Sequence, residues 1–113
     1  MIYHITTQSQ WETAVSAGIY RDNSLDVEGF IHCSTAQQLI GSANKYYQGQ
    51  TGLVLLCIAS ENVDVPLIYE DSYETGQEFP HIYGALNINA VTQVIPFPAN
   101  DDGSFSLPGL LNH

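Results

Sequence analysis

IYHITTQSQWETAVSAGI, residues 2–19, holds two periods side by side, and the change from one to the other decides the fold class. Over residues 2–6 the chain alternates. Ile2, His4 and Thr6 fall on one face and Tyr3 and Ile5 on the other, the period-two pattern of a strand. From Ser9 the period becomes helical: Trp11, Ala14, Val15, Gly18 and Ile19 fall at i, i+3, i+4, i+7 and i+8. Ser9 and Glu12 read as a Ser-x-x-Glu capping box, and Gly18 supplies a stop. A strand is therefore followed directly by a helix.

Outward from this unit the alternation of periods recurs. Residues 20–29 carry Asp22, Asn23, Ser24 and Asp26 without periodicity and read as a loop with room for a turn of helix, and residues 30–34 read as a strand. Ser34 or Thr35 can cap a second helix whose Ala36, Leu39, Ile40, Ala43 and Tyr47 form one stripe ending before Gly49. Leu53–Ile58 is continuously apolar, the pattern of a central strand covered on both faces. Pro66 opens a shorter strand at Leu67–Glu70, residues 71–78 form an acidic loop, and the segment 79–84 follows. Residues 88–95 are rich in β-branched side chains and read as a strand broken by Pro96 and Pro98, with a turn at 100–103. Two early helices and later strands predict a single α+β domain over residues 1–113, with both helices on one face of a mixed or antiparallel sheet.

Composition narrows the function. Twelve acidic residues stand against Arg21 and Lys45, for a formal net charge of −10. Phosphate contacts dominate nucleic-acid affinity, so general nucleic-acid binding is not expected, and an anionic membrane surface is disfavoured for the same reason. The run Leu53–Ile58 is too short to span a bilayer, and the start of the chain has no signal-like apolar region, so a cytoplasmic protein is expected. Cys33 and Cys57 sit in apolar runs and read as buried small hydrophobes.

The residues with chemistry to offer are the histidines and their neighbours. If Tyr3, Ile5, Ile31 and Cys33 face the helices, then His4, His32 and Ser34 project together from the other side of the sheet. His81 and Tyr83 share a face of their own segment, with Phe30, Phe79 and Tyr69 nearby in sequence. For any one of these histidines alone, the ordinary expectation is a half-buried strand residue bonded to a neighbouring carbonyl; together they point to a ligand cleft. No His-x-His or His-x-x-x-His spacing occurs, so no metal site is expected. Cys33 and His32 point to opposite faces and make no catalytic pair, and no Walker or Gly-x-Gly-x-x-Gly loop is present. Tyr46 and Tyr47 read as packing residues and the acids of 71–78 as solvated charge.

Ile-Tyr-His-Ile-Thr at 2–6, Glu-Gly-Phe-Ile-His-Cys-Ser-Thr at 28–35 and Phe-Pro-His-Ile-Tyr-Gly at 79–84 together resemble the domain-of-unknown-function family 952, in matching order over nearly the whole chain. That family looks like a compact relative of the ADP-ribosyltransferases. The resemblance implies an ADP-ribosyltransferase-like fold and a nucleotide or ADP-ribose-like ligand, with NAD as the cofactor. It implies that His4 hydrogen-bonds a ribose, that His32 and Ser34 line the nicotinamide or ribose pocket, and that Glu70 or His81 fills the third motif position. Tyr69, Tyr83 and Thr35 are the ligand-binding residues expected around them. A pyrophosphate would meet Arg21, Lys45 and the N–H groups of a helix N-terminus. The activity expected is that of an NAD- or nucleotide-directed transferase or hydrolase; the alternatives are a non-catalytic binding module and a small metalloenzyme.

Overall fold

The computed structural model describes residues 1–72 and 74–108, so Tyr73 of the expected acidic loop lies outside it. In chain order the elements are β1 (Ile2–Thr7), α1 (Gln8–Ala17), β2 (Ile19–Tyr20), α2 (Ser24–Val27), β3 (Ile31–His32), α3 (Ala36–Tyr46), β4 (Leu53–Ile58), β5 (Leu67–Glu70), β6 (Phe79–Ile82), β7 (Leu86–Asn87) and β8 (Val91–Pro96). This is the expected α+β class, and every described strand pairing is antiparallel.

The passage from β1 into α1 is abrupt, and its cap is Thr7 rather than Ser9. Thr7 is extended, at φ −87° and ψ 154°, and its hydroxyl accepts from Gln10 N at 3.0 Å. β1 stays paired as far as Thr7 opposite Leu53, so the residue that closes the strand must also open the helix. Glu12, expected in a capping box, instead accepts from Gln8 Nε2 at 3.0 Å. Gly18 stops α1 at φ +80°, a conformation open to glycine, with its N–H on Ala14 O at 2.8 Å. Trp11 and Ala14 face the core, whereas Val15 is 53% exposed.

β4 is the central strand of the sheet β1–β4–β8, as its unbroken apolar run requires. Val54, Leu56 and Ile58 pack with Ile2, Trp11, Ala14, Tyr20, Ile31 and Ile82 on one face. Leu53, Leu55 and Cys57 pack with Tyr3, Ile5, Leu39, Ala43, Phe97 and Phe105 on the other. Leu55 and Leu56 are fully buried on opposite sides, each contributing about 1.5–3 kcal/mol by burial. The two long helices therefore cover opposite faces of this sheet, α1 one and α3 the other, rather than sharing one face.

That arrangement corrects the assumed alignment of faces. Tyr3 and Ile5 pack against α3, while Ile31 and Cys33 belong to the cluster of α1. Tyr3 and Ser34 exchange two backbone hydrogen bonds, of 2.9 and 2.8 Å, which fastens a second sheet, β3–β6–β5, to the edge of β1. His4, alternating with Tyr3 and Ile5, turns to the α1 side of its strand, where its ring reaches the His32 carbonyl, whereas His32, alternating with Ile31 and Cys33, turns to the α3 side. His4 and His32 thus leave their strands in opposite directions.

The strand expected over 88–95 begins only at Val91, after a 3-10 turn at Ile88–Ala90. Asn87 turns the chain there. Its Nδ2 donates to Asn62 O at 2.8 Å and to Asn89 Oδ1 at 2.6 Å, while β7 pairs with β2. Cys33 and Cys57 are buried free thiols in different clusters, and burial pushes the Cys33 thiol far up.

Candidate functional site

A cleft of about 710 Å³ opens between α3, the loop at 71–78 and the strands carrying His4, His32 and His81. Its size falls within the range of roughly 300–1,000 Å³ usual for small-molecule sites. α3 contributes Gln37, Gly41 and Lys45, at i, i+4 and i+8, on the face opposite its buried Leu39 and Ala43. Gln38 secures both ends of this wall: its Oε1 accepts from Thr35 N at 3.1 Å and its Nε2 donates to Glu78 O at 2.7 Å. The loop is organised by Asp71, whose carboxylate accepts from Thr75 N and Gly76 N, each at 2.8 Å. Those bonds hold the Asp71 carboxyl below its usual range, so this acid is a fixed part of the loop and not merely solvated charge. Thr75 and Gln77 then face the cleft.

His4 lies at the base of the cleft and is only 3% exposed. Nδ1 lies 2.5 Å from the His32 carbonyl oxygen and Nε2 lies 2.8 Å from Tyr20 Oη. The carbonyl can only accept, so Nδ1 carries a proton. Tyr20 Oη is also 3.0 Å from both Thr6 Oγ1 and Asp22 Oδ1, and Asp22 Oδ2 accepts from Ser24 N at 3.0 Å. The His4 imidazole beside it, then the bonds from Ser24, hold the half-buried Asp22 carboxyl far below the usual range. Burial raises the Tyr20 hydroxyl well above its ordinary value. Both ring nitrogens of His4 are thus spent on protein groups.

A second network faces α3. His32 pairs with His81 across β3 and β6, and their rings sit 5.5 Å apart, edge to face. His81 is 1% exposed and stacks on Phe30, with centroids 4.0 Å apart and planes 12° from parallel. Its Nδ1 donates to Glu70 Oε1 at 2.8 Å, and the Tyr83 hydroxyl donates to the same oxygen. These donations, Tyr83 first and His81 second, hold the Glu70 carboxyl below its usual range. His32 Nε2 is paired with the Glu28 carboxylate.

Of the residues singled out in the sequence, His4, His32, Ser34 and His81 line the cleft together. Ser34 Oγ stands 3.5 Å from Ser42 Oγ, at its α3 wall. Glu70 and Tyr83 stand behind His81 rather than on the lining. Thr35 is the N-cap of α3. Tyr69 pairs with Pro80 in the register that sends its side chain away from Glu70, and it is 46% exposed. Lys45, expected to meet an anionic group, is on the lining, whereas sequence reasoning missed Asp22, Gln37, Gly41, Ser42, Thr75 and Gln77. The α3 residues had a signal, since they occupy the polar face of a legible amphipathic helix. Asp22 had none, because its segment shows no periodicity. Arg21 takes no part in the lining; it pairs with Asp26 at 3.2 Å on the surface. Among the described residues no three His, Cys, Asp or Glu side chains converge to hold a metal ion, and no helix is long and apolar enough to cross a membrane.

Residues 5–94 match the family described as "Protein of unknown function (DUF952)", and the chain belongs to that family. The crystal structure of protein CC0527 from Caulobacter crescentus is similar at 32% identity and a TM-score of 0.89, covering 99% of this chain and 98% of that one. The solution NMR structure of CC0527 is similar at 33% identity and a TM-score of 0.82, over 94% and 91% of the two chains. No curated protein matches the chain.

Proposed function

We propose that this member of the DUF952 family binds a nucleotide-derived ligand of the ADP-ribose type, NAD among them, and acts on it as a transferase or hydrolase with an ADP-ribosyltransferase-like site. One observation carries the reading: a single cleft gathers His4, His32, Ser34 and His81 from distant parts of the chain and adds Lys45, one of only two cations in a chain of net charge −10. An anionic group finds there the lysine side chain together with the polar face of α3, and a sugar finds hydroxyl and imidazole partners. His32, Ser34 and His81 are the ligand-facing groups in this reading. His4 reaches a ribose hydroxyl only by releasing Tyr20 or the His32 carbonyl, and its present bonds make it the post on which the cleft base rests.

A second reading, a binding module without chemistry, is favoured by the state of the carboxylates. Transfer of an ADP-ribosyl group needs an anion beside the positive charge that develops on the sugar. Glu70 is committed to His81 and Tyr83, and Asp22 to Tyr20 and Ser24. Titration calorimetry with NAD, ADP-ribose and AMP, followed by an assay for nicotinamide release from NAD, separates the two. Saturable binding with nicotinamide release supports catalysis, binding without release supports the module, and absence of binding by all three ligands defeats both.

A further inference from the structure

We propose that Glu70, His81 and Tyr83 form one hydroxyl-accepting unit: Glu70 locks His81 in the tautomer protonated on Nδ1, so that Nε2 offers its lone pair to a hydroxyl of the ligand. The identity of that hydroxyl, a sugar hydroxyl, rests on the function proposed above; the locked tautomer does not.

The assignment follows from donor and acceptor chemistry. A carboxylate oxygen can only accept, so His81 Nδ1, 2.8 Å from Glu70 Oε1, must donate. The Tyr83 hydroxyl donates to the same oxygen and fixes its position. A neutral imidazole with its proton on Nδ1 is an acceptor at Nε2. His81 is 1% exposed, and among the described residues Nε2 has no hydrogen-bond partner. This nitrogen is not sealed in the core, since Ser24 Oγ is the fully buried side-chain atom without a partner among the described residues; Nε2 keeps an open acceptor edge that a ligand hydroxyl can reach. The ring cannot swing to find another partner, because it is stacked on Phe30 at 4.0 Å and flanked edge-on by His32 at 5.5 Å. With Nδ1 turned to Glu70 on β5, the opposite edge of the ring is the one available to the cleft that His81 lines.

The chemistry also orients the ligand. A lone pair repels phosphate oxygen and welcomes O–H, so a phosphorylated sugar would turn its hydroxyls to His81 and its charge to Lys45. Tyr83 then acts as a positioning residue, holding the carboxylate that holds the imidazole.

Long-range proton–nitrogen NMR of histidine-labelled protein at pH 8 tests the unit without any ligand. Wild type should show His81 with a protonated Nδ1 and a pyridine-type Nε2; a wild-type His81 protonated on Nε2 overturns the proposal. Glu70→Ala should release the preference, and a tautomer unchanged in folded Glu70→Ala also counts against it. In the ligand arm, His81→Phe keeps the stack on Phe30 and removes both nitrogens, and ADP-ribose should bind it tenfold or more weakly by calorimetry. Unaltered affinity overturns hydroxyl acceptance at Nε2. Should wild type bind no ADP-ribose while showing the Nδ1–H tautomer, the nucleotide reading fails and the locked unit is supported.

Discussion

Tyr20 shows how much one hydroxyl can organise. Its Oη meets His4, Thr6 and Asp22 inside the core, and the residue is 1% exposed. Tyr20→Phe keeps the ring and leaves His4 Nε2 and Asp22 short of a partner, so it should destabilise the protein by about 1–3 kcal/mol in denaturant unfolding, with the slope unchanged. A loss below about 0.5 kcal/mol, the scatter of ordinary surface changes, would contradict the network. Asp22 adds a pH signature. Its folded carboxyl lies below the unfolded value of about 3.9, so its contribution is complete above that value and is lost as pH falls toward the folded one. Asp22→Asn should therefore flatten the decline of stability below about pH 4, and an acid limb identical to wild type would refute this. His4 was legible as a residue of interest because of its place in an alternating strand. Its partners were not, since Tyr20 and Asp22 lie in a stretch that no period describes. The plainest expectation for a strand histidine, a bond to a neighbouring carbonyl, is what Nδ1 makes with His32.

Among the elements α3 does the most for the cleft. Its apolar stripe, Leu39 and Ala43, could be read from spacing, and its cap could be narrowed to Ser34 or Thr35, of which Thr35 is the one used; that its polar face walls a cleft could not, because this depends on the loop at 71–78 lying opposite. The same limit explains the misjudged faces of β1 and β3. Alternation states which side chains go together within one strand, but only the Tyr3–Ser34 pairing aligns one strand with the next. Gly41 gives the wall a direct test. A Cβ there meets nothing within 4 Å, and the residue has no left-handed backbone to maintain. Gly41→Ala should stabilise the protein by about 0.5–1 kcal/mol through helix propensity. Gly41→Trp should leave the fold intact and fill the cleft, abolishing ADP-ribose binding. Thermal melts and calorimetry on both variants check this, and full affinity in the tryptophan variant would place the ligand elsewhere.

At the scale of the whole molecule, the central strand was the most legible feature, because six consecutive apolar residues have no other stable place than between two covered faces. Placing α1 on one side and α3 on the other leaves the β3–β6–β5 sheet to extend past the edge of β1, and the cleft forms where α3 overhangs that junction. The overall charge of −10 then gives Lys45 its meaning, as a cation of the lining in a molecule that otherwise repels anions. The most direct measurement is a titration of nitrogen-labelled protein with ADP-ribose, followed by amide chemical shifts. Shifts should saturate together at His32, Gly41, Ser42, Lys45, Thr75 and His81, the walls of one cleft. Shifts confined to other surfaces, such as Ile68 and Tyr69 on β5, or no shifts at all, would contradict this.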